Sequence, residues 1–300
     1  MDARASIEGG TLERHRERVA ELFPQLSLAS FEPIGRGWDC FTYRVDDEWI
    51  VQLPRLPIAE RTLERQLRLL PELAREVSGA VPVPELVSFD PPVMGYRAIE
   101  GVSVAEAPVP DAGILPERLG RFLYDLHIVP LEFLGLRGPV APVWRERLEA
   151  DLDDFRQRVV PLLDRGDALD AGEAGRADAR FGAYLDDDRH FRFPDSFVHQ
   201  DLGPEHVLMT PSGDLAGVID WGDAGPGDPA IDFGWILQHA PEIGERALAA
   251  YGGAPDETFL ARAAFYDAIG PWHDVTYGLD NDLPAFVERG LAGLRDRLPA

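Results

Sequence analysis

The chain has 300 residues, 45% of them hydrophobic, and its formal net charge is −24, with no lysine. This length favours two domains or lobes, and the apolar content is enough for a packed core, which excludes a disordered chain. The acidic charge argues against a nucleic-acid partner and is compatible with a cationic small molecule, although a need for solubility or adaptation to salt would also produce it.

No run of about 20 apolar residues predicts a membrane span. The polar start of the chain lacks the charged beginning and the apolar stretch of a signal peptide. The single cysteine, Cys40, excludes an internal disulfide. We therefore expect a cytoplasmic protein without a membrane partner.

The first hundred residues are predicted to form a small, strand-rich lobe. Alternating apolar and polar residues between turn signals predict five strands, at 31–35, 40–45, 49–53, 84–89 and 95–100. Between the third and fourth strands, leucines at positions 63, 67 and 70 predict a helix over 59–75, which Pro71 should end or kink.

The rest of the chain is predicted to be mainly helical. Long amphipathic helices are expected over 113–128 and 142–165, followed by a surface loop at 164–178, where Asp, Gly and Ala accumulate. Two short apolar runs, directly before His199 and directly before Asp220, predict strands. The sequence thus predicts an α+β protein with an N-terminal lobe at 1–100, a hinge near 97–101 and a C-terminal lobe at 101–300.

The segment 197–235 carries the chemically informative pattern. His199-Gln200-Asp201 is followed five residues later by His206, and Asp220 comes 19 residues after Asp201. This spacing is similar to that of the protein-kinase catalytic loop and the metal-binding Asp that follows it. A cluster of metal ligands made of His199, Asp201 and His206, typical of a metal hydrolase, is an alternative that the spacing favours less.

Phosphoryl transfer needs these residue types. A hydroxyl that attacks a phosphate must be oriented and must lose its proton, which a carboxylate such as Asp201 can accept. The negative charge on the phosphoryl oxygens needs Mg²⁺, and Mg²⁺ needs oxygen ligands such as the Asp220 carboxylate.

The string HQDLGPEHVL, together with GVIDWGDAGPGDPAIDF, resembles the aminoglycoside and macrolide phosphotransferases, and the likeness covers nearly the whole chain. It implies a two-lobed protein-kinase-like fold with a small antiparallel β lobe and a larger helical lobe. It also implies transfer of the γ-phosphate of ATP or GTP, with Mg²⁺, to a hydroxyl of a small cationic antibiotic. A related metabolite kinase and a catalytically weak kinase-like binding protein are the alternatives.

The resemblance also assigns roles to residues. It implies that Asp201 is the catalytic base, that Asp220 is the principal metal ligand and that Asp232 accepts hydrogen bonds from the backbone of the catalytic loop. His199 is expected to shape that loop. His127, within LGRFLYDLH, is expected to be a core or surface histidine without a catalytic role.

At the nucleotide, the chain departs from the family pattern. Gly35 and Gly37 stand where a glycine loop would cover the phosphates, although a short Gly-x-Gly is also common in an ordinary turn. Gln52 and Gln66 occupy the positions of the third-strand lysine and its glutamate partner, so the usual ion pair cannot form. The arginines that could supply the missing charge are Arg36, Arg55 and Arg65.

His206 is the second departure, because protein kinases place an asparagine there. Imidazole is a poor ligand for Mg²⁺, which prefers oxygen. Whether His206 binds the metal directly, through water, or touches phosphate is left open by the sequence. Acidic residues at 151, 153, 154 and 186–188 could hold the ammonium groups of a cationic acceptor, or could be ordinary solvated surface.

Overall fold

The computed structural model describes residues 9–36, 40–55, 57–77, 81–111, 113–163, 173–253 and 255–297. They divide into two compact units. The first unit comprises Met1–Leu115 and Pro204–Asp223, and the second comprises Pro116–Gly203 and Ala224–Ala300. The lobe boundary predicted between residues 100 and 101 stays a prediction.

Strands and helices follow one another in groups along the described chain. The strands are β1 (Phe31–Arg36), β2 (Cys40–Val45), β3 (Trp49–Pro54), β4 (Pro84–Phe89), β5 (Pro92–Arg97), β6 (Val102–Ser103), β7 (Ser196–Val198), β8 (Val207–Met209), β9 (Leu215–Val218) and β10 (Gly225–Gly227). The α-helices are α1 (Gly9–Leu22), α2 (Pro57–Glu76), α3 (Leu115–His127), α4 (Val140–Asp154), α5 (Val160–Leu163), α6 (Glu173–Asp186), α7 (Gly234–His239), α8 (Pro241–Ala250), α9 (Phe259–Ile269), α10 (Pro271–Asp280) and α11 (Pro284–Arg297).

The first unit is built on an antiparallel sheet with the strand order β1-β2-β3-β5-β4. Side chains alternate along β2 and β3, so Tyr43 and Val51 enter a core that also contains Val19 and Phe23 from α1 and the residue that follows it. The five predicted strands are present, although the fifth begins at Pro92, three residues earlier than predicted.

Helix α2 packs its leucine stripe inward, and Leu63, Leu67, Leu70 and Leu73 are buried. Of the two effects predicted for Pro71, an end of the helix is wrong, because α2 continues to Glu76, and a kink stays a prediction. Proline removes one backbone hydrogen bond from a helix, but burial of the leucines on both sides of Pro71 offsets that cost.

A second sheet of the first unit has the order β6-β8-β9. Strands β8 and β9 form an antiparallel hairpin in which Val207 lies opposite Val218. Its turn is closed by Gly213, whose φ of +77° suits glycine. Because the strands are antiparallel, the residue before β8 and the residues after β9 lie at the same end of the hairpin.

The second unit is mainly helical, with β7 and β10 paired as a short antiparallel ribbon. A π-helical turn at Phe155–Val159 joins α4 to α5, and a 3-10 helix spans Pro229–Phe233. The loop predicted at 164–178 is wrong from residue 173 onward, where α6 begins, and residues 164–172 lie outside the described chain. None of the described helices combines the length and the apolar composition needed to cross a membrane.

Candidate active site

The backbone of the loop after β7 is held by one buried carboxylate. The backbone N–H of His199 donates to Asp232 Oδ2 at 2.8 Å, and the backbone N–H of Gln200 donates to Asp232 Oδ1 at 2.9 Å. Asp232 lies in the 3-10 helix that follows β10 and is fully buried. Charge-assisted hydrogen bonds of this kind are stronger than neutral ones, so they hold the backbone of the loop in place.

A third donor to the same carboxylate is His127, which is buried, in agreement with the prediction of a core or surface histidine. Its Nε2 lies 3.0 Å from Asp232 Oδ2, and its Nδ1 lies 2.9 Å from the hydroxyl oxygen of Tyr251. Because an ionised carboxylate only accepts hydrogen bonds, Nε2 carries the proton, and in the neutral ring Nδ1 accepts from Tyr251. His127 therefore belongs to the support of the loop.

Asp201 is exposed, whereas Leu202 beside it is buried. The turn around Asp201 is closed by a hydrogen bond from the Gly203 N–H to the Asp201 carbonyl. Gln200 has a φ of +71°, in the left-handed region that costs a non-glycine residue about 1–2 kcal/mol. Its side-chain Oε1 accepts a hydrogen bond of 2.8 Å from Arg147 on α4. The loop thus presents a solvent-exposed carboxylate on a constrained backbone.

A buried ion pair lies next to this support. Asp228 caps the 3-10 helix by accepting from the Ala230 N–H, so this helix starts directly after Asp228. Its Oδ2 also accepts from Arg262 Nε at 2.7 Å and from the Tyr266 hydroxyl at 2.8 Å. Both charged side chains are fully buried. Although burial opposes the charge, hydrogen bonds and the charges of Asp256 and Asp228 raise the pKa of Arg262, whereas burial raises the pKa of the Asp228 carboxyl against the effect of the Arg262 charge.

In the first unit, the β8–β9 hairpin brings two predicted metal-site residues together. The Ile219 N–H donates to the His206 carbonyl, which extends the ladder by one step beyond β8. His206 Nε2 then lies 3.6 Å from Asp220 Oδ2. The Asp220 side chain is 56% exposed and that of His206 is 14% exposed. Asp220 has a φ of +64°, the left-handed region again.

The predicted nucleotide-binding residues are less connected. Gly35 lies in β1, where the pairing with β2 is irregular, and Gly37 lies outside the described residues. Gln52 lies on β3 with its Oε1 buried and without a hydrogen-bond partner, and Gln66 is buried on α2. No hydrogen bond joins these two described amides. The link between β3 and α2 that the lysine–glutamate pair would make is therefore absent here.

The candidate arginines lie in different surroundings. Arg55 stacks over the ring of Phe41 at 5.4 Å, and the side chain of Arg36 is outside what the structure describes. Arg65, on α2, donates from Nη2 to the carbonyl of Gly222, two residues after Asp220.

A model of the phosphotransferase enzyme family matches residues 30–266, more than three quarters of the sequence. The chain belongs to this family. Membership confirms the predicted class of enzyme, a kinase-type O-phosphotransferase that uses an alcohol group as acceptor.

Solved structures show the fold of this phosphotransferase. The GDP complex of wild-type aminoglycoside 2'-phosphotransferase-IIIa is 22% identical, with a TM-score of 0.80 over 95% of this chain and 98% of that one. A macrolide 2'-phosphotransferase type I is 21% identical, with a TM-score of 0.76 over 100% of both chains. These likenesses confirm the predicted α+β, protein-kinase-like fold.

One curated relative is similar over a shorter stretch. The uncharacterized protein YcbJ of Bacillus subtilis (strain 168) is 34% identical over 82 residues. The match spans 27% of this phosphotransferase and 26% of that protein, about a quarter of its length.

The donor set at the hairpin fits Mg²⁺ in the way that phosphotransferases hold it. Among the described residues, no group of three or more His, Cys, Asp or Glu side chains could enclose a metal ion. Mg²⁺ is commonly bound by one or two carboxylates together with substrate phosphates and water, without an all-protein cage. The exposed Asp220 carboxylate suits this mode, and the nitrogen of His206 suits it less.

Most of the acidic side chains that could have held a cationic acceptor are paired within the phosphotransferase itself. Asp153 lies 3.8 Å from Arg156, and Asp154 lies 3.3 Å from Arg158. Asp187 and Asp188 pair with Arg189 at 2.7 Å and with Arg145 at 2.6 Å, respectively. These contacts favour a structural role on the surface for the four carboxylates.

Proposed function

We propose that this protein transfers the γ-phosphate of ATP or GTP to a hydroxyl of a small, cationic, antibiotic-like molecule, an aminoglycoside or a macrolide. The observation that carries the proposal is the loop held by Asp232. Its backbone is fixed at His199 and Gln200, and Asp201 is left exposed at the position of the family's base. A binding protein without catalysis would not need a rigid, exposed carboxylate there.

The two structural relatives support the nucleotide and the acceptor class. One is an aminoglycoside phosphotransferase in complex with GDP, and the other is a macrolide phosphotransferase. The net charge of −24 would also attract a cationic acceptor at low ionic strength. We keep the prediction of a cytoplasmic enzyme without nucleic-acid or membrane partners.

In the proposed reaction, the Asp201 carboxylate orients the acceptor hydroxyl and takes its proton as the oxygen attacks the γ-phosphorus. The bond between the γ-phosphorus and the β,γ-bridging oxygen breaks, and the nucleoside diphosphate leaves with that oxygen. The Asp232 carboxylate accepts hydrogen bonds from the backbone N–H groups of His199 and Gln200, and these bonds keep that backbone in place. Positioning of this kind, together with stabilisation of charge, supplies most of the catalysis of phosphoryl transfer.

Asp220, with His206 beside it, would hold Mg²⁺. When bound, the ion would neutralise the negative charge that develops on the transferred phosphoryl oxygens. The chain itself contributes an exposed carboxylate at the end of a rigid hairpin. His206, only 14% exposed, lies where it can restrict the orientation of that carboxylate.

The proposal is tested by offering aminoglycosides and macrolides with each nucleotide and scoring a mass gain of one phosphoryl group. Asp201→Asn is the matched control, and its turnover should fall by about 10²-fold or more while nucleotide binding barely changes. A variant that keeps near-normal turnover would remove Asp201 from the mechanism.

A catalytically weak kinase-like protein is the second candidate, favoured by the absence of a hydrogen bond between Gln52 and Gln66. In that case nucleotide would bind, and no compound of the panel would gain mass. A metabolite kinase would give transfer to a sugar or an amino alcohol in the same assay, which separates the three outcomes.

A further inference from the structure

A charged side chain of helix α2 contacts the loop that carries Asp220. Arg65 Nη2 donates to the backbone carbonyl of Gly222, across 157 residues of sequence. A Cβ placed on Gly222 would lie 3.6 Å from Thr62 Cγ2, 4.0 Å from Gln66 Nε2 and 3.7 Å from Asp220 Oδ1. Gly222 therefore lies against one turn of α2 and next to the Asp220 carboxylate.

This loop needs an external constraint. Asp220 is more than half exposed, and its left-handed backbone geometry persists only where surrounding contacts hold it, so His206 alone is a weak constraint on the loop. Asp223, at the far side of Gly222, lies close enough to interact electrostatically with the Arg65 guanidinium. Arg65 thus has a carbonyl acceptor and an anionic neighbour within the same four-residue segment.

The helix has no alternative link of the usual kind. The chain contains no lysine, and Gln52 and Gln66 make no hydrogen bond with each other. Glu64, next to Arg65, pairs instead with Arg68 at 3.9 Å on the exposed side of the helix. A hydrogen bond from a guanidinium is about twice as strong as a neutral one, so Arg65 can replace an ion pair as the connection.

We propose that Arg65 is a positioning residue that holds the Asp220 loop against α2, so that the carboxylate meets Mg²⁺ in one orientation. This inference rests on the function proposed above. It links α2 to the loop of the metal ligand through a backbone carbonyl, whereas the lysine–glutamate pair of the family pattern links α2 to β3.

The test compares Arg65→Met with Arg68→Met. Methionine keeps a long apolar stem and helix propensity in both variants but donates no hydrogen bond. Arg68 is a matched control, because it lies on the same helix, pairs with Glu64 and stacks over Phe89 at 5.4 Å. The first readout is amide hydrogen exchange in residues 219–223 without nucleotide. We expect exchange about 3- to 10-fold faster in Arg65→Met only, the range that the loss of one hydrogen bond allows.

The second readout is the Mg²⁺ concentration that gives half-maximal turnover. It should rise about 3- to 10-fold in Arg65→Met, with partial recovery in Arg65→Lys, which restores a charged donor. Unchanged exchange, or faster exchange with an unchanged Mg²⁺ requirement, would overturn the inference. If the wild-type protein transferred no phosphate, the proposed function would fail, and the exchange comparison would still decide whether Arg65 holds the loop.

Discussion

The two loops that carry the predicted catalytic carboxylates are supported in opposite ways. In the second unit, the loop of Asp201 rests on Asp232, which is fully buried and accepts three hydrogen bonds. In the first unit, Asp220 is exposed, and its loop is tied to α2 through one arginine and one carbonyl. A base must be aimed accurately at a hydroxyl, whereas a metal ligand shares its ion with phosphate and water. The difference predicts that mutations around Asp232 will lower the free energy of unfolding, whereas mutation of Asp220 will lower Mg²⁺-dependent turnover with little effect on stability.

The largest effect is expected from Asp220→Ala. Without this carboxylate the hairpin offers only His206, so Mg²⁺-dependent turnover should fall to background. The free energy of unfolding should change by no more than about 0.5 kcal/mol, because the side chain is exposed. Asp214→Asn, at the other end of the same hairpin, is the control. If a lower free energy of unfolding accounted for the lost activity of Asp220→Ala, the comparison between the two loops would fail.

Asp228→Asn should have the largest effect on stability. It puts a neutral side chain in place of one of the two carboxylates that pair with the fully buried Arg262, the other being Asp256 at 2.7 Å, and breaking a buried ion pair typically costs about 3–5 kcal/mol. Urea denaturation measures the loss. Glu117→Gln is the matched control, because Glu117 makes a two-pronged but exposed contact with Arg246 at 2.8 and 2.9 Å, which should contribute no more than about 1 kcal/mol. Equal losses would show that burial does not distinguish the two pairs.

His127→Phe should lower the free energy of unfolding by about 1–3 kcal/mol, because the Tyr251 hydroxyl and Asp232 each lose a partner in a buried place. Turnover should fall with it, since Asp232 then rests on two donors. His239→Phe is the comparison, because His239 pairs with Asp267 at 3.0 Å and is 43% exposed. Unchanged turnover in the His127 variant would show that this histidine does not support the loop.

The smallest effect concerns Asp151 on α4. Burial raises the pKa of its carboxyl from 3.8 to about 6, opposed by the Arg147 charge and assisted by that of Asp154. Between pH 4 and pH 6 the folded chain therefore holds a proton that the unfolded chain has lost, so this group lowers stability as the pH rises. Asp151→Asn should be more stable than wild type by about 1–2 kcal/mol at pH 7 and equal to it below pH 4. A difference that grows toward acid would contradict this sign.

The sequence predicted the parts of the site that lie close together along the chain. Asp201, Asp220 and Asp232 fall within one segment of the sequence, and the β8–β9 hairpin lies between the first two along the chain. The contacts that it missed join distant residues: His127 with Asp232, 105 residues apart, and Arg65 with Gly222, 157 apart. Such pairs depend on how the chain packs, and packing leaves no periodic signal in the sequence.

The differences between the predicted and the observed elements have a similar cause, since packing can override a local preference. Alternation predicted the sheet of the first unit, because one face of each strand is buried. Helix α2 continues past Pro71 because the local cost of a proline is smaller than the free energy gained by burying the leucines around it. The start of α6 was missed because the abundance of Gly and Asp around residue 173 is also typical of loops.

The left-handed backbone at Gln200 and Asp220 has a consequence for laboratory evolution. Glycine adopts this geometry without steric cost, so selection for heat resistance alone would tend to place glycine at Gln200 and asparagine or glycine at Asp220. The first exchange would remove the side chain that contacts Arg147, and the second would remove the acidic ligand itself. Clones enriched by heating should therefore be screened for phosphate transfer as well, since thermal stability and turnover would be selected in opposite directions at these two codons.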